Sequence, residues 1–458
     1  MNPTSEAHWQ RLERSTTGRL LHPGQPGFTA ATAPFNQRWS ATVPARVLCA
    51  ADVADVRRAV AWAADTGTPI VPRGGGHGYA GQGVTTGLVV DLRALDAVTV
   101  DPASGLVSTA GGALMAGVHA ALQPHDLAFP LGNGNGVGIA GLALGGGSAA
   151  VSRKLGLTAD AMVSTTLVTA DGELVTCDAR QHPDLFWACR GGGGGNFGIN
   201  VSFTFQAVPV VDSATCLLLW HGEQAPEVFE VLQEVMRKAP EECSIRLGVS
   251  VGADGRATVS AVGQHLGPAA DLRELLAPVL AAADPFRQEI ADRTYWEAKD
   301  YLAHETSGGA FACRTHFATE PLPPDAVAAA LAQLARRPAT GNPDGAGLAL
   351  FGWGGAINRV APADTAFVHR HAQYLVSLDT SWTEQDPPAA VRANLDWLAE
   401  LDAVVAPHTA EGAYLNFADP DLADWRTAYY GANYPRLLEV KRRVDPAGLF
   451  RHAQGIGS

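Results

Sequence analysis

Glycine set in runs constrains this chain more than any other feature. Three groups fall within residues 73–198: RGGGHG (Arg73–Gly78), GNGNGVGIAGLALGGG (Gly132–Gly147) and RGGGGGNFG (Arg190–Gly198). No period links them, which excludes a collagen-like or low-complexity chain. Glycine reaches positive φ freely and lets backbone approach a ligand closely. Successive N–H groups in such turns form nests for phosphate oxygens. A Rossmann fingerprint needs strand, GxGxxG and helix in order, and a Walker loop needs Lys-Ser/Thr; both are absent. The runs therefore point to a phosphate-bearing cofactor held by other loops, with an arginine beside two of them.

The remaining composition narrows the class. A chain of 458 residues, 47% hydrophobic and 17% charged, has room for two or three domains with large cores. The net charge of -13 gives no support for binding nucleic acid. Six cysteines are scattered without CxxC or Cys/His spacing, so they read as buried thiols and no metal site is expected. The first twenty residues lack the apolar core of a signal peptide, and no window resembles a membrane span. A cytoplasmic protein, monomer or homodimer, is the simplest expectation.

From Ala31 to Val208, β-like runs, helices and glycine turns alternate. The helix ADVADVRRAVAWAADTG puts Val53, Val56, Val60 and Ala63 on one face. GLVVDLRAL, AVTVDPASGLVSTAGG and STTLVTADGELVTCDA read as strands or hairpins, with Asp171-Gly172 as a turn. From Asp212 to Ala410, strands interleave with amphipathic helices, which predicts an α+β domain with one open sheet face. The terminal DWRTAYYGANYPRLLEVKRRVDPAGLF is aromatic enough to pack back on the first part, with Lys441 and Arg442 on a solvated helix face.

Four ordered segments carry a resemblance: IVPRGGGHGYAG, GIAGLALGGGSAAVSRKLGLTAD, HPDLFWACRGGGGGNFGI and AYLNFADPD with the terminal helix. Together they resemble the berberine-bridge-enzyme-like flavoproteins of the vanillyl-alcohol-oxidase superfamily. The resemblance implies an α+β fold: a two-part FAD-binding domain of PCMH type plus an α+β substrate domain with a large antiparallel sheet and flanking helices. The expected bounds are 1–210 for the FAD domain (core 40–208), 211–410 for the substrate domain and 411–458 for a segment returning to the FAD domain. FAD is expected to be covalent through His77 only, by an 8α-histidyl bond, because Gly134 stands where many relatives have a second, cysteinyl anchor. The implied cofactor contacts are Arg73, Gly74, Gly75, Gly76, His77, Gly78, Gly81, Gly134, Asn135, Val137, Gly138, Gly141, Gly146, Gly147, Gly198, Ile199 and Asn416. Val137 aligns with a compact family position tied to oxygen access, which favours an oxidase.

Flavin oxidation needs a base for the partner proton. Candidates are Arg314 and His316, alternating on one strand face; His369 and Arg370; Tyr374; and above all Tyr414, which with Asn416 matches the family's Tyr-x-Asn element. Each also has an ordinary reading as a salt-bridged or structural side chain. Trp220, Trp296, Trp353 and Trp382 fit either an aromatic platform or a core. The expected activity is oxidation of a small-molecule alcohol, sugar or natural product, with O2 as acceptor and H2O2 as product. Oxygenation or oxidative cyclisation, and a non-catalytic FAD-fold binding protein, remain alternatives.

Overall fold

Parallel strands need a crossover, and the helix after the first apolar run supplies one. A computed structural model describes residues 4–303 and 309–458. The helix Val53–Thr66 starts on Asp52, whose side chain accepts from Asp55 N–H, and ends at Gly67 in the left-handed region. It buries Val56, Val60 and Ala63, and Val53 packs at its edge. It links Arg46–Cys49 to Ile70–Arg73, each of which pairs in parallel with Leu88–Asp91. Arg19–Leu21 adds an antiparallel edge, giving a four-stranded sheet.

The second half of the cofactor-side fold is a five-stranded antiparallel sheet ordered Val98–Asp101, Leu106–Ala110, Ile199–Gln206, Met162–Val168, Leu174–Asp178. Its last hairpin turns through Gly172 at φ +79°. The terminal helices Trp425–Tyr430 and Tyr434–Val444 share a core with Leu185, Phe186 and Trp187. One sequence expectation needs correcting there. Arg442 is exposed, but Lys441 is buried, donating to Asn196 O and Phe450 O and pairing with Asp445 at 2.6 Å.

A seven-stranded antiparallel sheet forms the other part, ordered Arg287–Arg293, Ser213–His221, Ala257–His265, Cys243–Val251, Ala346–Gly352, Tyr374–Trp382, Ala310–Ala318. Period-2 alternation decides its two faces. Leu218, Trp220, Leu247, Val249, Leu348, Leu350, Val376 and Leu378 join a core beneath the helices Ala225–Lys238, Ala269–Ala282, Pro324–Leu334 and Pro388–Val405. The opposite face carries Leu217, Arg246, Phe351, Ser377, Asp379 and Cys313 and looks into a cavity. This is the expected α+β architecture with its open sheet face. No helix among the described residues is long and apolar enough to cross a membrane.

Two buried arginines tie the parts together. Arg370 grips both oxygens of Asp160, at 2.7 and 2.8 Å, and also donates to Ile357 O and Thr365 Oγ1. Arg153 donates to Trp353 O and Ala239 O. Replacing one partner of such a pair strands a charge in a dry site. Arg370→Ala is expected to lower the unfolding free energy by about 3–5 kcal/mol in a denaturant melt, with Asp160→Asn costing less.

Candidate active site

The cavity between the three sheets has a volume of about 1260 Å³, above the usual range for small-ligand sites. Its cofactor wall begins where the chain leaves the strand Ile70–Arg73. Arg73 turns inward and donates to Ala33 O, and Phe35 N–H donates to Gly76 O. Gly76 sits at φ +73°, and a Cβ there would strike the Arg73 guanidinium. A Cβ on Gly75 would lie 2.4 Å from Gly138 N, and one on Gly138 would lie 2.4 Å from Gly75 N. The first two glycine runs therefore meet backbone to backbone. Among the described residues, no N–H from Gly74 through Tyr79 donates to a protein acceptor. That row of unspent donors suits an anion.

His77 projects from this row. Its ring stacks on Phe35 at 4.1 Å and 17°, and a Cβ on Gly136 would meet its Nε2 at 3.1 Å. Burial, then the Arg73 charge, pull its pKa down to about 4. The imidazole is neutral at pH 7, and among the described residues neither ring nitrogen has a protein hydrogen bond. A free lone pair on a fixed ring is what attachment to an electrophilic methyl group requires. Around Gly134 the nearest neighbour of an added Cβ is Val137 Cγ2 at 3.0 Å. Asn135 accepts from Lys299 Nζ at 3.2 Å.

Of the cofactor contacts expected from sequence, Arg73 to Gly78, Gly134, Asn135, Val137, Gly138, Gly141 and Asn416 line the cavity. Gly81, Gly146, Gly147, Gly198 and Ile199 do not, and their surroundings explain it. An added Cβ would meet Trp39 at Gly81, Phe367 at Gly146, Thr158 Oγ1 at Gly147 and Val168 O at Gly198, while Ile199 lies in a core. These glycines serve close packing. From the third run it is Gly193, Gly194 and Gly195 that face the cavity, with Asn200 behind them.

The base candidates separate in the same way. Arg314 and His316 do share a strand face, but it is the helix-covered one: both bind Asp402 of Pro388–Val405, His316 Nε2 at 2.6 Å. The Tyr374 hydroxyl is on that side too, donating to Gln233 O. His369 stacks on Phe317 at 4.2 Å, outside the lining. Tyr414 reaches the cavity wall as the residue that precedes the 3-10 turn Leu415–Phe417, and not on a strand. Its oxygen accepts from Ser148 N–H and from Asn416 Nδ2, and burial raises its pKa. A buried phenol held in this way locks the turn and is a poor base at neutral pH. Of the four tryptophans only Trp353 lines the cavity.

Sequence reasoning missed Asp379. It stands between Ser377 and Ser381 on the cavity face of Tyr374–Trp382. Among the described residues its carboxylate accepts no hydrogen bond. Burial pushes its pKa up to about 6, against the pull of Arg246 and Arg337. The signal was present: a lone carboxylate in phase with two serines inside the apolar strand YLVSLDTSW.

Comparison with known proteins agrees with this geometry. Residues 44–178 match an FAD binding domain family and residues 413–457 the berberine and berberine like family. An uncharacterized FAD-linked oxidoreductase, YgaK of Bacillus subtilis, is 31% identical over 96% of this chain and 97% of its own. The chain belongs to the berberine-bridge-like family of FAD-linked oxidoreductases. The xylooligosaccharide oxidase of Thermothelomyces thermophilus is 31% identical, covering 93% of this chain and 89% of its own. Among solved structures, Physcomitrella patens BBE-like 1 superposes with a TM-score of 0.88 at 27% identity, over 98% of both chains.

FAD, the cofactor of this family, fits the residues present. The unspent N–H groups from Gly74 to Tyr79 suit its pyrophosphate, and the bare glycine surface leaves room for it. The contact between Gly75 and Gly138 is then a requirement of the fold. Gly75→Ala is expected to abolish flavin retention and lower Tm. Gly117→Ala, outside the cavity lining and where an added Cβ meets nothing within 4 Å, is expected to leave flavin retention unchanged and not to lower Tm; flavin absorbance per protein and a thermal melt give the answer.

Proposed function

We propose that the protein is an FAD-dependent oxidase of a hydroxyl-bearing small molecule, with Asp379 as the base that takes the hydroxyl proton. The observation that carries this reading is the bare, cavity-facing carboxylate with a pKa of about 6, in the same cavity as the glycine loops and His77. A base works best when its pKa lies near the working pH. Bound FAD supplies a two-electron acceptor that O2 regenerates, with hydrogen peroxide as the reduced product. The glycine loops hold the cofactor and His77 anchors it by its one covalent bond, since Gly134 offers no second nucleophile. Val137, compact and on the cavity wall, favours access of O2. Phe351, Trp353 and the sheet floor exclude water around the reacting hydroxyl. Similarity to a xylooligosaccharide oxidase supports an alcohol or sugar as the substrate class.

Two measurements test this. After acid precipitation, yellow colour is expected to stay with the wild-type protein and to leave with the supernatant in His77→Ala. A colourless native protein that takes up no FAD would sink the proposal. For Asp379→Asn, peroxide release is expected to fall roughly 10²–10⁴-fold with flavin content unchanged. The wild-type kcat/KM should rise with pH through about 6, as the carboxylate loses its proton. That limb should vanish in the variant.

A further inference from the structure

The buried cations described above each donate to a protein carbonyl or carboxylate. Arg153 and Lys441 hold carbonyls, Arg370 holds Asp160, and Arg73 holds Ala33 O. Arg246, whose side chain is open to the cavity, breaks the pattern. It stands on the cavity face of Cys243–Val251, one residue from the core positions Ile245 and Leu247. Its guanidinium carbon lies 5.4 Å from the ring centre of Phe351, its cross-strand partner. Two residues along the same face is Gly248, where a Cβ would come within 3.3 Å of Arg246 Nη1. Glycine at that point lets the guanidinium lie along the sheet floor instead of standing off it.

Asp379 acts on this cation electrostatically. Among the described residues, however, no carboxylate comes within the 4.0 Å of an ion pair and no acceptor takes an Arg246 N–H. Open to the cavity and without a protein acceptor, this guanidinium presents its N–H groups to whatever the cavity holds. The cofactor's phosphates have their own donors in the glycine loops, on other elements. Arg246 shares its sheet face with Ser377 and Asp379, where the substrate must lie. A planar fork of donors matches a carboxylate with two parallel hydrogen bonds.

We propose that Arg246, seated over Gly248 and Phe351, binds a carboxylate of the substrate, so that the substrate is an anionic alcohol presenting its hydroxyl to Asp379. The inference rests on the oxidase reading and adds a substrate class to it. The Asp379 carboxylate sits at the hydroxyl end, where its charge discourages an anion. The arginine and the aspartate thus define one orientation between them.

The test is calorimetric titration of the flavin-loaded protein at pH 7.5 with two matched pairs: 4-(hydroxymethyl)benzoate against 4-(hydroxymethyl)benzamide, and D-glucuronate against D-glucose. In at least one pair the carboxylate is expected to bind roughly tenfold or more tightly than its neutral mate, as charge-assisted bonds to arginine do. Arg246→Gln should erase that preference. Arg246→Lys, which keeps charge but loses the fork, should retain part of it, and Asp379→Asn should preserve it. Equal binding of acid and neutral mates by the wild type, or an undiminished preference in a folded, flavin-loaded Arg246→Gln, overturns the proposal. Peroxide release is read separately. A charge preference without peroxide condemns the oxidase reading alone, and peroxide without a charge preference condemns the role of Arg246 alone.

Discussion

The site depends on two backbones meeting with nothing between them. Gly75 and Gly138 belong to loops more than sixty residues apart in sequence, and each occupies the space a side chain on the other would need. That contact aligns the row of N–H groups after Arg73 with the wall built by Gly132 to Gly141. The arrangement leaves donors without protein partners, which is tolerable only beside water or a ligand. Arg73, folded back over Gly76, and Phe35, beneath His77, hold the loop in this open form.

The opposing wall works by charge. On the sheet floor a carboxylate and a guanidinium are both held short of a mutual ion pair. Neither is neutralised by the protein, so both remain available to a ligand. Elsewhere buried ions are met by carbonyls or a counter-ion, as at Arg370 with Asp160 and Lys441 with Asp445.

Much of the fold was legible in the sequence, because its signals are local. The helix Val53–Thr66, the hairpin through Gly172 and the two-faced sheet follow from periodicity and turn chemistry. The site was legible where backbone chemistry makes it, as at Gly74 to Gly78 and His77. It was opaque where tertiary contact decides the outcome. Alternation correctly put Arg314 and His316 on one face but could not say which face meets a helix. Nor could composition tell Gly75, which meets a ligand-side loop, from Gly198, which makes room for Val168 O. Asp379 escaped notice because its strand has the texture of a core strand.

The two faces of the seven-stranded sheet carry separate duties on alternate residues. Even-numbered positions of Tyr374–Trp382 lie in the helix-covered core, whereas Ser377, Asp379 and Ser381 border the cavity. A change at Asp379 alters the cavity wall while leaving the packing beneath untouched. Such a sheet lets a lineage diversify its chemistry in single steps, with little penalty in folding at each one.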